Sequence, residues 1–367
     1  MRLPHLLPLS SILALVPLIT AQTSTSCNPL NATCDPDSAL GTEHSWWFNT
    51  SLDSSIWEVT NGEISHTSEN GTLFSIKEKL DSPTLASKFY IFFGIVESHV
   101  KMAKGGGVVS SIVLESDDLD EIDWEWVGYN TTGVQSNYFG KGNTTTYNRA
   151  GYHYVPDADT EFHNYTTYWT SEKLEWWIDG SLVRTLNYSD AVDGKNFPQT
   201  PCNVRYGIWP GGDPSEGLGT IEWAGGEINY TAGPYNMYVK RVRVQDFHSG
   251  KEYVYSNHSG DWESIKVVKG NSTAKTELNK APTKSLSQKF AGLSTAAKDG
   301  IYASVAIVIA AVLGAWAMFC VRQRRQGRRE KALGEAGYEA EGVEMMNTHK
   351  GWDESRMSTG KGYQKIT

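Results

Sequence analysis

The chain is poor in cysteine and in positive charge. Four cysteines among 367 residues are too few for a disulfide-built scaffold, and none stands with histidine at the spacing of a zinc site. The net charge of -9 argues against nucleic acid as the main partner, because phosphate binding requires basic surface. No long amphipathic helix is legible between Trp46 and Tyr255, and no internal repeat is present, which leaves short alternating segments as the building material. What is abundant is aromatic. The 13 Trp and 18 Tyr supply a core and also flat faces of the kind on which sugar rings stack.

Residues 1–21 read as a signal peptide. Arg2 precedes an apolar run from Leu6 to Ile19, broken by Pro8 and Pro17, and Thr20-Ala21 forms a small-residue cleavage site before Gln22. A second apolar run, Ile301 to Val321, is 21 residues without a charge. As a helix it rises about 31 Å, matching a bilayer core of ~30 Å. The basic stretch Arg322-Gln323-Arg324-Arg325-Gln326-Gly327-Arg328-Arg329 follows, so residues 322–367 are expected inside the cell and everything before 301 outside. A cleaved lipid-anchor signal ends in its apolar tail, whereas 46 residues follow here, which favours a retained transmembrane helix.

Asn-x-Ser/Thr sequons stand at Asn31, Asn49, Asn70, Asn130, Asn143, Asn164, Asn187, Asn229, Asn257 and Asn271. All ten precede the apolar helix, the distribution expected of a glycosylated ectodomain. In that oxidising compartment Cys27 and Cys34 are expected to form a disulfide, leaving Cys202 unpaired and buried. Cys320 stands at the inner membrane edge, a position suited to palmitoylation.

Residues 22–256 are expected to form one all-β domain. Val108 to Glu115, the turn Ser116-Asp117-Asp118, and Leu119 to Val127 read as a hairpin. Leu174 to Ile178, Asp179-Gly180 and Leu182 to Leu186 read as a second, tighter one. So many antiparallel strands in one domain predict a two-sheet sandwich of jelly-roll type. Residues 257–300, rich in Ser, Thr, Lys and Asn, read as a glycosylated stalk, and the polar tail after the basic stretch as unstructured.

The chemistry concentrates in Asp120-Glu121-Ile122-Asp123-Trp124-Glu125-Trp126. On a strand, side chains alternate between faces. Glu121, Asp123 and Glu125 therefore share one face, and Ile122, Trp124 and Trp126 share the other, the core side. Three carboxylates on one face stabilise nothing by themselves. They match the two-carboxylate logic of retaining glycoside cleavage, with Glu121 as nucleophile, Glu125 as acid and base, and Asp123 tuning the nucleophile. No cofactor is implied. By the same alternation Arg205, Gly207 and Trp209 share a face, suited to sugar hydroxyls and to stacking. Trp223 is a further stacking residue, and Asn137 and Tyr138 are expected to line the cleft.

Glu-Ile-Asp-x-Glu on a strand resembles family 16 of the glycoside hydrolases, retaining β-glucan-active enzymes with a jelly-roll fold. The longer phrase through Trp126 and Gly128 is similar to its fungal cell-wall branch, the Crh transglycosylases. So are Phe197-Pro198-Gln199-Thr200-Pro201, Gly207-Ile208-Trp209, Gly211-Gly212-Asp213, Thr220-Ile221-Glu222-Trp223-Ala224-Gly225-Gly226, Gly233-Pro234-Tyr235 and Met237-Tyr238-Val239-Lys240, together with the Cys27/Cys34 pair. The resemblance covers about residues 27 to 247 and implies an enzyme at the plasma membrane and cell wall that moves chitin chains onto β-glucan or chitin. It implies that Arg205, Trp209 and Thr220 line the donor sugar sites. Two other readings of the same residues are an endo-acting β-glucan or chitin hydrolase and a non-catalytic glycan-binding wall protein. The chain departs from the branch in its transmembrane helix, where many members are lipid-anchored, and in having no cysteine-rich chitin-binding module.

Overall fold

In the computed structural model the described residues are 25–146, 148–280 and 286–357. The expected signal peptide, residues 1–21, and the last ten residues of the tail lie outside them. The chain divides into two units, 1–280 and 281–367.

Among the described residues, eighteen strands build the first unit. In chain order they are β1 (Asp37–Ser38), β2 (Glu43–Trp47), β3 (Trp57–Asn61), β4 (Ile64–Thr67), β5 (Gly71–Ile76) and β6 (Thr84–Ile91). There follow β7 (Gly94–Lys101), β8 (Val109–Ser116), β9 (Glu121–Val127), β10 (Gly133–Phe139), β11 (Gly151–Tyr154) and β12 (His163–Trp169). The last six are β13 (Lys173–Ile178), β14 (Ser181–Asn187), β15 (Cys202–Trp209), β16 (Tyr235–Asp246), β17 (Glu252–Tyr255) and β18 (Ile265–Val268). One sheet runs β11-β10-β9-β8-β15-β6-β3. The other runs β14-β13-β12-β7-β16-β5-β4, with β2 also paired to β16. All strand pairings within the two sheets are antiparallel, so the expected sandwich is what forms.

Alternation explains how the sheets close. β7 is buried at every second residue and half-exposed at the others, the pattern of a sheet with one wet face. β8 is buried at all eight positions, because one of its faces packs in the core and the other floors the site described below. Between the sheets lie Trp124, Trp126, Trp169, Trp176, Tyr165 and Tyr206, all fully buried. Buried indoles require an acceptor. Trp124 Nε1 donates to Thr167 Oγ1 at 3.1 Å and Trp126 Nε1 to the Tyr165 hydroxyl at 3.3 Å, so β9 is tied directly to β12 of the opposite sheet. The Asp179-Gly180 hairpin forms as read, with φ of 48° and 78° at its two central residues.

The domain does not end at 256. A third, small sheet runs β1-β17-β18, and the helix α2 (Thr273–Leu278) follows it. Ser264, Ile265, Ser272 and Ala274 are buried. Ser272 Oγ accepts from Lys275 N as the cap of α2 and donates to the Leu40 carbonyl at 2.9 Å. The stalk expected from 257 thus gives up its first part, through Lys280, to the folded domain. Its composition concealed this because a four-residue strand and a six-residue helix are too short to show a period. Asp246, also buried, gathers the seam: it accepts from the N–H groups of Gly41, Phe92 and His248 and from the Tyr253 hydroxyl. Cys27 and Cys34 are joined as a disulfide, and Cys202 is free and buried.

The second unit is helical. After α3 (Leu286–Ala291), α4 runs from Thr295 to Met357. It contains the one helix among the described residues that is long and apolar enough to cross a membrane. As far as Met357 the polar segment after the basic stretch, expected to be unstructured, continues this helix, since Arg, Lys, Glu and Ala hold helical backbone well.

Candidate active site

Cross-strand register turns the sheet face into four ordered rows. Gly207, Ser111, Glu125, Gln135 and Tyr152 lie side by side across β15, β8, β9, β10 and β11. The next row holds Arg205, Val113, Asp123 and Asn137, and the one beyond it Asn203, Glu115, Glu121 and Phe139. Trp209, Val109 and Val127 form the fourth, on the other side of Glu125. The three carboxylates therefore sit on the face opposite Trp124 and Trp126, as alternation requires.

The strand bearing them is anchored before it begins. β8 and β9 are joined by a turn in which Ser116 Oγ donates to Asp118 and accepts from Asp120 N. Leu119 takes a φ of 65° there, so the strand starts at Glu121 and not at Leu119. Asp120 is fully buried and accepts from Lys141 N, Gln199 N and Thr200 Oγ1 at 2.7–3.0 Å. The Phe197-to-Pro201 phrase thus serves as the anchor of the carboxylate strand.

A wall closes the rows beyond Glu125. The helix α1 (Leu218–Trp223) carries Thr220 and Trp223, three apart and hence on one helical face. Trp223 stacks on Trp209 with ring centroids 6.0 Å apart and 29° between planes, and its Nε1 donates to Gln135 Oε1 at 3.0 Å. Val109, Val127 and Ala224 pack beneath. The glycine-rich phrases bring this segment onto the sheet. A Cβ on Gly212 would lie 2.3 Å from the Gly226 carbonyl oxygen and 2.6 Å from Gly107 Cα, so only backbone without side chains permits the approach. Beside Glu125, toward β10 and β11, a cavity of about 270 Å³ opens, lined among others by Val127, Tyr129, Gln135, Tyr152 and Tyr154.

The electrostatics separate the two glutamates. Burial raises Glu121 to about 7, opposed by a hydrogen bond with Asp123 and by the positive charges of Arg205 and Arg149. Glu125 rises to about 8, through burial first and then the Glu121 charge, and no cation opposes it. Asp123 is raised well above the carboxylate range by burial and by Glu121 and Glu125. The hydrogen bond between Asp123 and Glu121 favours the protonated form of the first and the ionised form of the second. Arg205 is ion-paired to the fully buried Glu115, and its Nε donates to Asn203 Oδ1 at 2.8 Å. Arg149 lies over the Phe139 ring at 4.6 Å, in the Glu121 row. Asn137 faces the carboxylates, beside Asp123. Tyr138 does not: it pairs with Ile122, is 6% exposed and belongs to the inter-sheet core, which corrects its expected place in the cleft by one step of alternation. Trp209 is also 6% exposed, so the open aromatic face falls to the half-buried Trp223. Sequence reasoning missed Glu115, Gln135, Tyr152 and Tyr154. Alternation along β8 and along Gly151-Tyr152-His153-Tyr154 marks them once the register is known.

This arrangement has relatives. The pattern of glycosyl hydrolases family 16 matches residues 52–225, and Crh-like protein 3 of Aspergillus fumigatus is 60% identical over 349 residues, covering 95% of each chain. The chain belongs to glycosyl hydrolases family 16, among the Crh-like proteins. Congo red hypersensitive protein 1 of Saccharomyces cerevisiae is a more distant Crh relative, 46% identical over 67% of this chain and 48% of its own. The solved structure of a Crh5 transglycosylase in complex with NAG superposes with a TM-score of 0.64 at 51% identity, covering 66% of this chain and 99% of that one. The Crh-like chain described here is accordingly an enzyme of the glycosidase and transglycosylase type.

Proposed function

We propose that this Crh-like protein is a cell-surface transglycosylase that transfers chitin chains to β-glucan or chitin acceptors by retaining double displacement. The observation that carries the reading is the unequal setting of the two glutamates. Glu121 has a donor and two cations favouring its ionised form, and Glu125 has none. Glu121 attacks the anomeric carbon while Glu125 gives its proton to the leaving glycosidic oxygen. The departing chain leaves a glycosyl ester on Glu121. Glu125, now ionised, takes the proton of an incoming sugar hydroxyl, whose oxygen displaces Glu121 and restores both groups. Glu residues four apart on a strand have Cα atoms about 13 Å apart, so the two long side chains must converge over the shorter Asp123 to act on one sugar.

Donor sugars are assigned to the β15 side, over Arg205, Gly207, Thr220 and Trp209 with Trp223. The acceptor is assigned to the cavity over β10 and β11, where Tyr152 and Tyr154 are 72% and 77% exposed and offer stacking faces. A bound acceptor outcompetes water through proximity. The topology that fits is a single span at Ile301–Val321 with the catalytic domain outside and glycosylated.

The test is a transfer assay with fluorescent glucan and chitin oligosaccharides and a chitin donor. Labelled acceptors should be extended faster than free reducing ends accumulate, and Glu121→Gln and Glu125→Gln should each abolish turnover while folding is retained. Equal release of reducing ends with and without acceptor, and no labelled product, would make the protein a hydrolase.

A further inference from the structure

Among the residues lining the cavity beside Glu125 is Asn130, the first residue of the sequon Asn130-Thr131-Thr132. None of the other nine sequon asparagines lines it. Asn130 is exposed, in the turn that links β9 to β10, and its N–H donates to the Val127 carbonyl at 2.9 Å. Its Oδ1 accepts from both the N–H and the hydroxyl of Thr132, at 3.2 and 3.1 Å. That pair of bonds turns the amide so that Nδ2, the atom that would bear a glycan, points away from Thr132.

Gly133 shows where Nδ2 goes. A Cβ built on Gly133 would lie 2.5 Å from Asn130 Nδ2. Gly133 and Gln135 are two apart on β10 and so share a face, and Gln135 pairs with Glu125. Nδ2 of Asn130 therefore stands over the carboxylate face of the sheet, at the mouth of the cavity. The bare Gly133 leaves room for it.

We propose that an N-linked glycan on Asn130 lies across this mouth and competes with the incoming acceptor, an inference that rests on the acceptor occupying this cavity. An N-linked glycan begins with a β1,4-linked pair of N-acetylglucosamine residues, the same repeating chemistry as chitin. Held by a short tether, such a disaccharide reaches an effective concentration in the millimolar range. It competes with any free acceptor that binds no more tightly than that. The modification thereby makes the enzyme demand a concentrated acceptor, as an insoluble wall provides, and disfavours short soluble ones.

The experiment uses full-length protein from a host that N-glycosylates and from one that does not, as wild type and as Asn130→Gln. Glycopeptide mass spectrometry should find Asn130 occupied in the first host. There the ratio of the wild-type acceptor KM to that of Asn130→Gln should exceed, by about twofold or more, the same ratio measured on protein made without glycosylation, which takes out the effect of the side chain itself. Removal of the remote sequon by Asn187→Gln should leave the acceptor KM unchanged in either host. The same comparison is made by direct binding of a chito-oligosaccharide to protein carrying Glu121→Gln, which does not depend on turnover. If no transfer occurs at all, the functional reading fails, while a glycan effect on binding would still stand. An unoccupied Asn130, or equal affinities in both hosts and both assays, overturns the proposal.

Discussion

Asp123→Ala is expected to move the acidic limb of the pH–rate profile, and Asp123→Asn to leave it nearly in place. The Asp123 side chain is 1% exposed and is held protonated by its burial and by the charges of Glu121 and Glu125. Its proton goes to Glu121, whose ionised form it favours. A hydrogen bond to a charged group contributes about 1.5–3 kcal/mol, which at 1.36 kcal/mol per unit is about one to two pKa units. Glu121 stands at about 7 with that bond in place, so without it the nucleophile would ionise near 8 to 9, by the same conversion. At pH 6 the reactive fraction, and kcat/KM with it, then falls by roughly ten- to a hundredfold, and much of the loss returns at high pH. Asparagine keeps the shape and supplies an N–H in place of the O–H, so its limb should stay within about half a unit, the rate falling through altered polarity instead. The measurement is kcat/KM for transfer between pH 5 and 9, with circular dichroism to confirm folding. An alanine variant with an unmoved acidic limb would refute the hydrogen-bond argument. So would an asparagine variant as dead as Glu121→Gln.

Three further outcomes are expected. Asp120, Glu121, Glu125 and Asp246 stand at about 7, 7, 8 and 7, each raised chiefly by burial, whereas unfolded carboxyls ionise near 4. Their stabilising effect is complete below that value and is lost as pH rises through about 7 to 8, so Tm should fall between pH 6.5 and 8.5. Glu125→Gln should flatten the slope by up to about 1.4 kcal/mol per pH unit, and a Tm rising over this range would contradict the assignment. Asp246→Ala strands three backbone N–H groups and the Tyr253 hydroxyl and should cost about 3 kcal/mol or more in urea unfolding, with kcat per folded molecule retained. Protease added to intact protoplasts should remove the glycosylated domain and spare a fragment holding 322–367; release of the whole protein by a phospholipase that cleaves lipid anchors would exclude the transmembrane reading.

Alternation carried most of what the sequence disclosed. The period of two placed Glu121, Asp123 and Glu125 on one face because it needs no knowledge of partners. It placed Arg205 and Trp209 together for the same reason. What it cannot supply is register between strands distant in sequence. That Arg205 would meet Glu115, or Trp223 reach Gln135, depends on β15 lying beside β8 and on α1 folding back over the sheet. The error at Tyr138 has a different source: Asn137 and Tyr138 are adjacent, so one of the pair had to face the core. The stalk boundary failed for want of length, because β18 and α2 together bury only a few side chains.

The same registers explain why so acidic a surface holds its geometry. Glu121, Asp123 and Glu125 repel one another when ionised, and a strand free to move would splay. β9 is fixed from three directions. Trp124 and Trp126 are hydrogen-bonded to β12 across the core. Asp120 is held by three donors from two loops. Gln135, the cross-strand neighbour of Glu125, is held in turn by Trp223. The carboxylates are therefore held in place, and their raised pKa values come first from burial, with the Glu121 charge adding to the rise at Glu125 and the Asp123 hydrogen bond and the Arg205 and Arg149 charges opposing it at Glu121. Charge alone would favour neither glutamate over the other. The asymmetry comes from position along the strand, since Glu121 lies in the row that contains Glu115, the partner of Arg205, and Phe139 under Arg149, whereas the row of Glu125 contains Gly207, Ser111, Gln135 and Tyr152 and no cation. Under the proposed roles, exchanging the two glutamates would require moving a cation toward the Glu125 row, so the proposed division into nucleophile and acid rests on the fold and not on the motif by itself.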